Sequence, residues 1–436
     1  MKFKHKNVLV YGMSVSGESV SKLLKKLRAN VYLYDDDQER LRAKNIKGCY
    51  FVNGLNENLI SQFDFIVVSP SIELDNPFIK MAIEKNIKIY SELEFSSLFC
   101  KKLVAVTGTN GKTTTVQLIN AILSKKYHSI ACGNIGYPLS KAVLEHKKAI
   151  KVAEVSSFML EHAETFSPHV ATILNIEPDH LIRHKSMSEY TRLKFNIFKN
   201  LTKKDFAVVN LDNDIHTTLD ALIITYSYSH IADVYVKNGC IYLHNDKVIA
   251  INELKIKGKH NVYNVMCAIC FAYIYKVPVR AIKEALINFQ SEKYRIDFVA
   301  SVNEINFYND SKSTNISSTI ACVDSIKGAI ILLLGGSDKG LDYCKLFSRL
   351  SKRVVQIVAF GEIADRLVED NASKFAIKKC TDMKEAFSYA TANAKKNDNI
   401  VLSPASASYD QYTSYIERGK AFDEMVREYE NSCKKK

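Results

Sequence analysis

An α/β protein of three domains, each built on a largely parallel sheet, is expected from three observations on this 436-residue chain. Short apolar runs alternate with helical patterns along most of its length, which is the signature of βαβ units. Polar turns recur just past those runs, where open α/β sheets bind their ligands. The length exceeds what one hydrophobic core supports, so two or three domains are required.

The elements follow in order. Asn7–Tyr11, Val31–Tyr34 and Phe63–Val68 read as strands, with a helical pattern over Ser19–Leu27 between the first two. Leu103–Val106 opens a second series, continued by Val152–Ala153, Ala171–Leu174 and Phe206–Val209. Shorter strand patterns follow at Ile223–Tyr226, Val234–Val236, Ile241–Leu243 and Val248–Ala250, then a helix over His260–Tyr275. A third series has strands at Asn306–Tyr308, Ala329–Leu334, Val354–Phe360 and Asn399–Leu402. The breaks place the domains at 1–95, 96–293 and 294–436.

Composition narrows the class. The chain is 47% hydrophobic, normal for a globular protein, and has no apolar run of about 18 residues, so no membrane span is expected. The apolar run after the basic N-terminus is too short for a signal peptide. Ten cysteines lack a regular frame, which fits a reducing cytoplasm. Cys267 and Cys270 form the one CxxC, inside an apolar helical pattern, and read as core packing rather than a metal or redox pair. The net charge of +13 comes from dispersed lysines. Together with the lack of a helicase or recognition-helix motif, this argues against a nucleic-acid-binding NTPase.

The stretch Val104–Thr115 carries the strongest chemistry. It joins a strand to a helix through Gly108, Thr109, Asn110 and Gly111, followed by Lys112, Thr113 and Thr114. Backbone N–H groups of such a turn converge on an anion, and the helix dipole adds to them. Lys112 can reach the β- and γ-phosphates of ATP, and the Thr113 hydroxyl can sit on Mg²⁺. Val106 stands where the usual phosphate-loop pattern has its first glycine, so this is a tighter variant. Glu154, just beyond a strand, suits a Mg²⁺ ligand, and the same reasoning applies to the Asn175–His180 stretch. Gly12–Gly17 keeps two of the three glycines of a dinucleotide fingerprint, with Ser14 in the middle, and Asp35 or Asp36 lies where a ribose-binding acid would be. Asn309–Asn315, Gly335–Lys339 and Leu402–Gln411 follow third-domain strands and suggest a substrate site.

Thr107–Thr113, Gly133–Gly136, Glu154–Phe158, Asp179–His180, Gly258–Asn261 with Asn264, Arg295 and Asn309–Asn315 resemble, in order and spacing, the Mur ligases. These are ATP-dependent amino-acid-adding enzymes of peptidoglycan synthesis. Leu402–Gln411, with Leu332–Lys339 and Ser69–Ile72, is similar to the branch that adds D-glutamate to UDP-N-acetylmuramoyl-L-alanine. The L-alanine-adding branch normally differs at Leu402–Gln411. A folylpolyglutamate synthetase shares the ATP loop but normally begins near it.

The resemblance implies Rossmann-like N- and C-terminal domains around a central phosphate-loop ATPase-like domain. It implies a cytoplasmic, monomeric enzyme acting on small molecules, with no nucleic-acid partner. Lys112 would hold the γ-phosphate, and Thr113, Glu154 and His180 the Mg²⁺. Lys194 would be carbamylated. Asn261, Asn264, Arg295 and Asp310 would lie on the ATP side. Val15, Ser16, Asp35, Asn134 and Ser156 would contact the UDP substrate. Lys312, Thr314, Lys339, Ser408, Tyr409 and Tyr415 would contact D-glutamate. Departures from the family pattern fall at Ile182, Ser71, Tyr294 and Tyr415.

Overall fold

The structure is a computed structural model, and it describes residues 3–42, 46–73, 75–213, 219–290, 293–371 and 374–434. The described residues form three sheets. The chain divides into two compact units, the first comprising Met1–Ile176, Lys185–Lys255 and Asn261–Phe289, the second Glu177–His184, Ile256–His260 and Gln290–Lys436.

The first unit holds two sheets. One has five parallel strands in the order Tyr50–Phe51, Asn30–Tyr34, Asn7–Tyr11, Phe65–Val68, Lys88–Ser91. Residues 8–11 and Phe65–Val68, at its centre, are buried without alternation, as strands of a parallel sheet covered on both faces are. The other has nine strands, with Leu103–Thr107 between Val170–Ile173 and Ile150–Glu154. Its far edge turns antiparallel at Val234–Lys237, Cys240–Leu243 and Asp246–Ala250.

A single apolar cluster runs from Val8, Val31 and Val67 of the first sheet to Ala105, Ala153 and Ala171 of the second. Two buried carboxylates tie the segments around it. Glu92 accepts from the Ser140 N–H at 2.6 Å, and Glu94 from both the N–H and the hydroxyl of Thr165 at 2.6 Å. Burial pushes the Glu92 carboxyl up. The core therefore continues across residue 95.

The second unit holds a six-stranded sheet, in the order Asp297–Val302, Ile305–Asn309, Asn399–Leu402, Ile330–Gly335, Val354–Phe360, Ile377–Lys379. Only its first pair is antiparallel.

The expected strands are present, with shifted ends: the run read from Phe63 begins at Phe65, and the helix read from Ser19 spans Val15–Lys26. Five strands were not read from sequence: Tyr50–Phe51, Lys88–Ser91, Ser129–Gly133, Asp297–Val302 and Ile377–Lys379. They are short, edge-lying or interrupted by polar residues, and so lack a clear period. Cys267 and Cys270 are fully buried and unbridged, and burial pushes the Cys267 thiol up to about 12. No described helix is long and apolar enough to cross a membrane.

Candidate active site

The wholly buried strand Leu103–Thr107 ends at the turn Gly108–Gly111, and helix Lys112–Leu123 starts immediately after it. Gly111 has a φ of 82°, and a Cβ there would lie 2.5 Å from Asn264 Oδ1. Only glycine lets the loop turn this closely over helix Lys259–Ile274. Asn264 in turn donates to Asn261 Oδ1 at 3.1 Å, and both side chains are buried.

Asn175 clamps the other side of the turn. Its carbonyl accepts from the Thr109 N–H at 3.0 Å, its Oδ1 from the Asn110 N–H at 2.8 Å, and its Nδ2 donates to the Asn110 carbonyl at 3.1 Å. The loop is thus fixed in shape before any ligand arrives. The first-turn amides of helix Lys112–Leu123 face the turn, as an anion site requires.

Two lysines converge on one atom. Lys112 Nζ donates to the carbonyls of Gly108 and Thr109, each at 2.8 Å. Lys194 Nζ, from helix Met187–Phe195, donates to the same Gly108 carbonyl at 2.8 Å. Lys194 is fully buried and lies 4.5 Å over the Tyr190 ring, whose hydroxyl meets Thr109 Oγ1 at 3.1 Å. Two ammonium groups on one carbonyl make the turn strongly attractive to anions.

Glu154 ends the neighbouring strand, paired in register with Val106. It is 3% exposed. Its Oε1 accepts from Asn134 Nδ2 at 3.3 Å, whereas its buried Oε2 has no hydrogen-bond partner among the described residues. A carboxylate oxygen left so beside a phosphate loop fits a hard divalent cation, which takes oxygen ligands. Thr113, in the first turn of the helix, carries a hydroxyl suited to the same ion. Gly133 brings Asn134 into place: its φ is 90°, and a Cβ would fall 2.2 Å from the Glu154 carbonyl. Ser156 is buried two residues beyond Glu154. Lys112, Thr113, Glu154, Lys194, Asn261, Asn264, Asn134 and Ser156 all belong to this unit.

The other sheet of this unit carries the remaining residues expected on the UDP side. Val15 is exposed and Ser16 half-buried at the start of helix Val15–Lys26. Asp35 is buried, accepting from the Met13 N–H at 2.6 Å and the Asp37 N–H at 2.8 Å. Its carboxylate thus holds the glycine turn in shape. Asp36 accepts from the Tyr11 hydroxyl, which also receives a hydrogen bond from Asn76.

In the second unit, Asp179 and Asn315 are joined at 3.3 Å through Asn315 Nδ2 and Asp179 Oδ2. His180 has a φ of 53°, and its N–H donates to Asp179 Oδ1 at 2.9 Å. The side chain of Ile182 lies outside the described residues. Asp310 is fully buried, accepting from Ser403 Oγ at 2.7 Å and the Ile296 N–H at 3.2 Å. Burial pushes its carboxyl up, and the Arg295 charge opposes that. Lys312 Nζ lies 5.4 Å over the Tyr415 ring, and Lys339 Nζ donates to the Thr314 carbonyl at 3.3 Å. Four of the six residues expected for D-glutamate therefore pair up on this unit. Ser408 is buried in the Leu402–Gln411 loop, and Tyr409 is 75% exposed.

Burial, and then the nearby Arg295 charge, pushes the His260 imidazole down to about 4. An unfolded chain protonates histidine near about 6.5. Between those values the unfolded state binds the extra proton, so stability falls as pH drops through this window. Urea midpoints of the wild type should fall from pH 7.5 to pH 5. In His260→Gln that fall should be smaller; an identical fall would remove His260 as a contributor.

Arg418 was not singled out from sequence. It is fully buried in helix Tyr415–Lys434 and joins three loops. Nε donates to Ser311 Oγ at 3.1 Å. Nη1 donates to the carbonyls of Gly335 at 3.3 Å and Ala407 at 3.1 Å, and Nη2 to those of Ser311 at 2.9 Å and Ser406 at 3.0 Å. Burial pushes its guanidinium down to about 10, so it stays charged at neutral pH.

Comparison with known proteins adds to this geometry. Residues 6–91 match the model of a Mur ligase MurD-like N-terminal domain, 106–272 the Mur ligase middle domain, and 294–406 the Mur ligase glutamate ligase domain. The chain is 34% identical over 452 residues to a UDP-N-acetylmuramoylalanine--D-glutamate ligase of Thermoanaerobacter sp., covering 98% of this chain and 99% of that protein. It is 35% identical to the protein of that name in Caldicellulosiruptor saccharolyticus, covering 97% and 99%. Solved structures share the fold. A pseudomurein peptide ligase type C from Methanothermus fervidus has a TM-score of 0.62 at 18% identity, covering 98% of this chain and all of that one. The MurF ligase from Thermotoga maritima, in complex with ADP, has a TM-score of 0.60 at 15% identity, covering 100% and 96%. The chain belongs to the Mur ligase family.

Proposed function

We propose that this protein joins D-glutamate to the alanyl carboxylate of UDP-N-acetylmuramoyl-L-alanine, cleaving ATP to ADP and phosphate, in peptidoglycan precursor synthesis. The observation that carries the reading is near-full-length identity of about one third to ligases of that name. The phosphate loop and the orphaned Glu154 oxygen supply the matching chemistry. The domains are assigned as 1–95 for the UDP substrate, 96–293 for ATP and 294–436 for D-glutamate.

The substrate carboxylate attacks the γ-phosphorus, an acyl phosphate forms and ADP leaves. The D-glutamate amine, unprotonated, then attacks the acyl carbon, and phosphate leaves. Activation is needed because an amine cannot expel oxide from a carboxylate. Lys112, now bound to loop carbonyls, transfers its hydrogen bonds to the γ-phosphoryl oxygens as charge builds there. The helix-start amides around Thr113 and Thr114 hold the other phosphate oxygens. Gly108, Thr109, Asn110 and Gly111 form the cradle, and Asn261 and Asn264 set its position. Thr113 and Glu154 would hold Mg²⁺, which would offset phosphate charge. On the second unit, His180 is assigned to the metal and Arg295 and Asp310 to the nucleotide. Lys312 and Lys339 offer cations for the two D-glutamate carboxylates, with Thr314, Ser408, Tyr409 and Tyr415 as further contacts. Val15, Ser16, Asp35, Asn134 and Ser156 are assigned to the UDP substrate. With the substrate carboxylate labelled by oxygen-18, the acyl-phosphate route delivers label into inorganic phosphate. Unlabelled phosphate alongside amide product would contradict the route.

Lys194 is proposed to react as the neutral amine with carbon dioxide, forming an N-carboxylate and releasing a proton. That replaces one of two adjacent cations by an anion while keeping an N–H for the Gly108 carbonyl. Carbon-13 bicarbonate should give a carbamate signal that Lys194→Ala lacks, and bicarbonate should restore activity lost on its removal. An unaffected Lys194→Ala enzyme would end the assignment.

A further inference from the structure

A pocket of about 1010 Å³ opens at the amino ends of the strands whose carboxyl ends carry the ATP loop and Glu154. Lys101 and Lys102 precede Leu103–Thr107, His128 precedes Ser129–Gly133, and Ala149 precedes Ile150–Glu154. Each of those strands is five residues long, so about 16 Å of backbone separates its two ends.

The pocket has two chemically distinct parts. Phe3, Leu23, Leu27, Phe99, Val143 and Ile150 give it an apolar lining. Lys26, Lys101, Lys102, Lys147 and Lys148 also line it, and no aspartate or glutamate does. Among the described residues none of these five ammonium groups is ion-paired with a carboxylate. Two carbonyls just past helix Leu139–Glu145 would repel an anion, but a buried lysine covers them. Lys151 Nζ, on a fully buried residue, donates to the carbonyls of His146 at 2.7 Å and Lys147 at 2.9 Å. Like charges gathered around an apolar surface repel one another unless a ligand neutralises them.

We propose that this pocket binds a single-chain amphipathic anion, its hydrocarbon chain on the apolar lining and its phosphate or carboxylate head among the lysines. The size fits, since ligand pockets run to about 1,000 Å³ with apolar walls and a few polar groups. The chemistry could come from a free monomer or from a lipid in a bilayer. The proposal commits to the monomer, because the apolar lining and the lysines of one pocket supply contacts for both halves of a single molecule. The site is separate from the ATP loop, so it stands whatever the fate of the ligase assignment.

Calorimetric titration of the full chain with decyl phosphate, decyl glucoside and inorganic phosphate separates the two contributions. Decyl phosphate should bind once per chain, at least about tenfold tighter than decyl glucoside, and inorganic phosphate should give no saturable binding here. Lys147→Glu/Lys148→Glu changes two exposed residues and should weaken decyl phosphate by about tenfold or more, each lysine near an anionic head being worth several-fold. Saturating Mg-ATP should not compete. Displacement by ATP would place the head at the ATP loop and overturn the proposal, as would equal affinity for the glucoside or no change in the double variant. Cosedimentation with phosphatidylglycerol vesicles, lost in the double variant, with no binding of monomeric decyl phosphate, would overturn it in favour of bilayer docking.

Discussion

Lys112→Ala is expected to lower ATP-dependent turnover by about three orders of magnitude or more, while the folded structure persists. One preorganised donor at a developing oxyanion is worth about 10²–10³ in rate, and a charged donor at a phosphoryl group is worth more. Lys112 donates to the carbonyls of Gly108 and Thr109, while the loop shape is set by Asn175 and Gly111. The loss should therefore appear in kcat, with little change in the urea midpoint. Steady-state phosphate release checks it. Near-normal turnover would remove Lys112 from the phosphoryl step.

Arg418→Ala is expected to destabilise the second unit by about 3–5 kcal/mol, the range for breaking a buried charged network. Five acceptors, on Ser311, Gly335, Ser406 and Ala407, lose their donor together. Arg418→Lys should recover only part of that, because an ammonium has three donors and cannot reproduce the planar fork. The three loops it joins lead directly into Lys312, Lys339 and Ser408. The lysine variant should therefore raise the KM for D-glutamate more than the KM for ATP. Urea unfolding and the two KM values check this. A stability loss under about 1 kcal/mol in the alanine variant would contradict the network's role.

These two residues mark what was legible in the sequence. The phosphate loop was readable because all its parts lie within eight positions, and the glycine at 111 announces a turn that only glycine makes. Glu154 was readable as a carboxylate at a strand end, but its unpartnered oxygen was not, since burial is a property of the packed sheet. Arg418 has no local signature of function: its partners lie eleven to 107 positions away. One signal was present. Arg418, Phe422 and Val426 recur every four residues on the buried stripe of the last helix, so the arginine occupies a core position. A charge at a core position requires hydrogen-bond partners. Asp35 was legible by its place after the second strand, but its hydrogen bonds from the Met13 and Asp37 amides were not. The core that runs on past residue 95 was also hidden, because the groups that engage the buried Glu92 and Glu94, on Ser140 and Thr165, lie 48 and 71 positions away.

Phosphate release from Mg-ATP, measured with UDP-N-acetylmuramoyl-L-alanine and a panel of single amino acids, tests the central claim most directly. Release coupled to formation of the amide should require D-glutamate, with L-glutamate and L-alanine inactive. Release that proceeds equally with another amino acid, or that depends on DNA or RNA instead, would contradict the assignment.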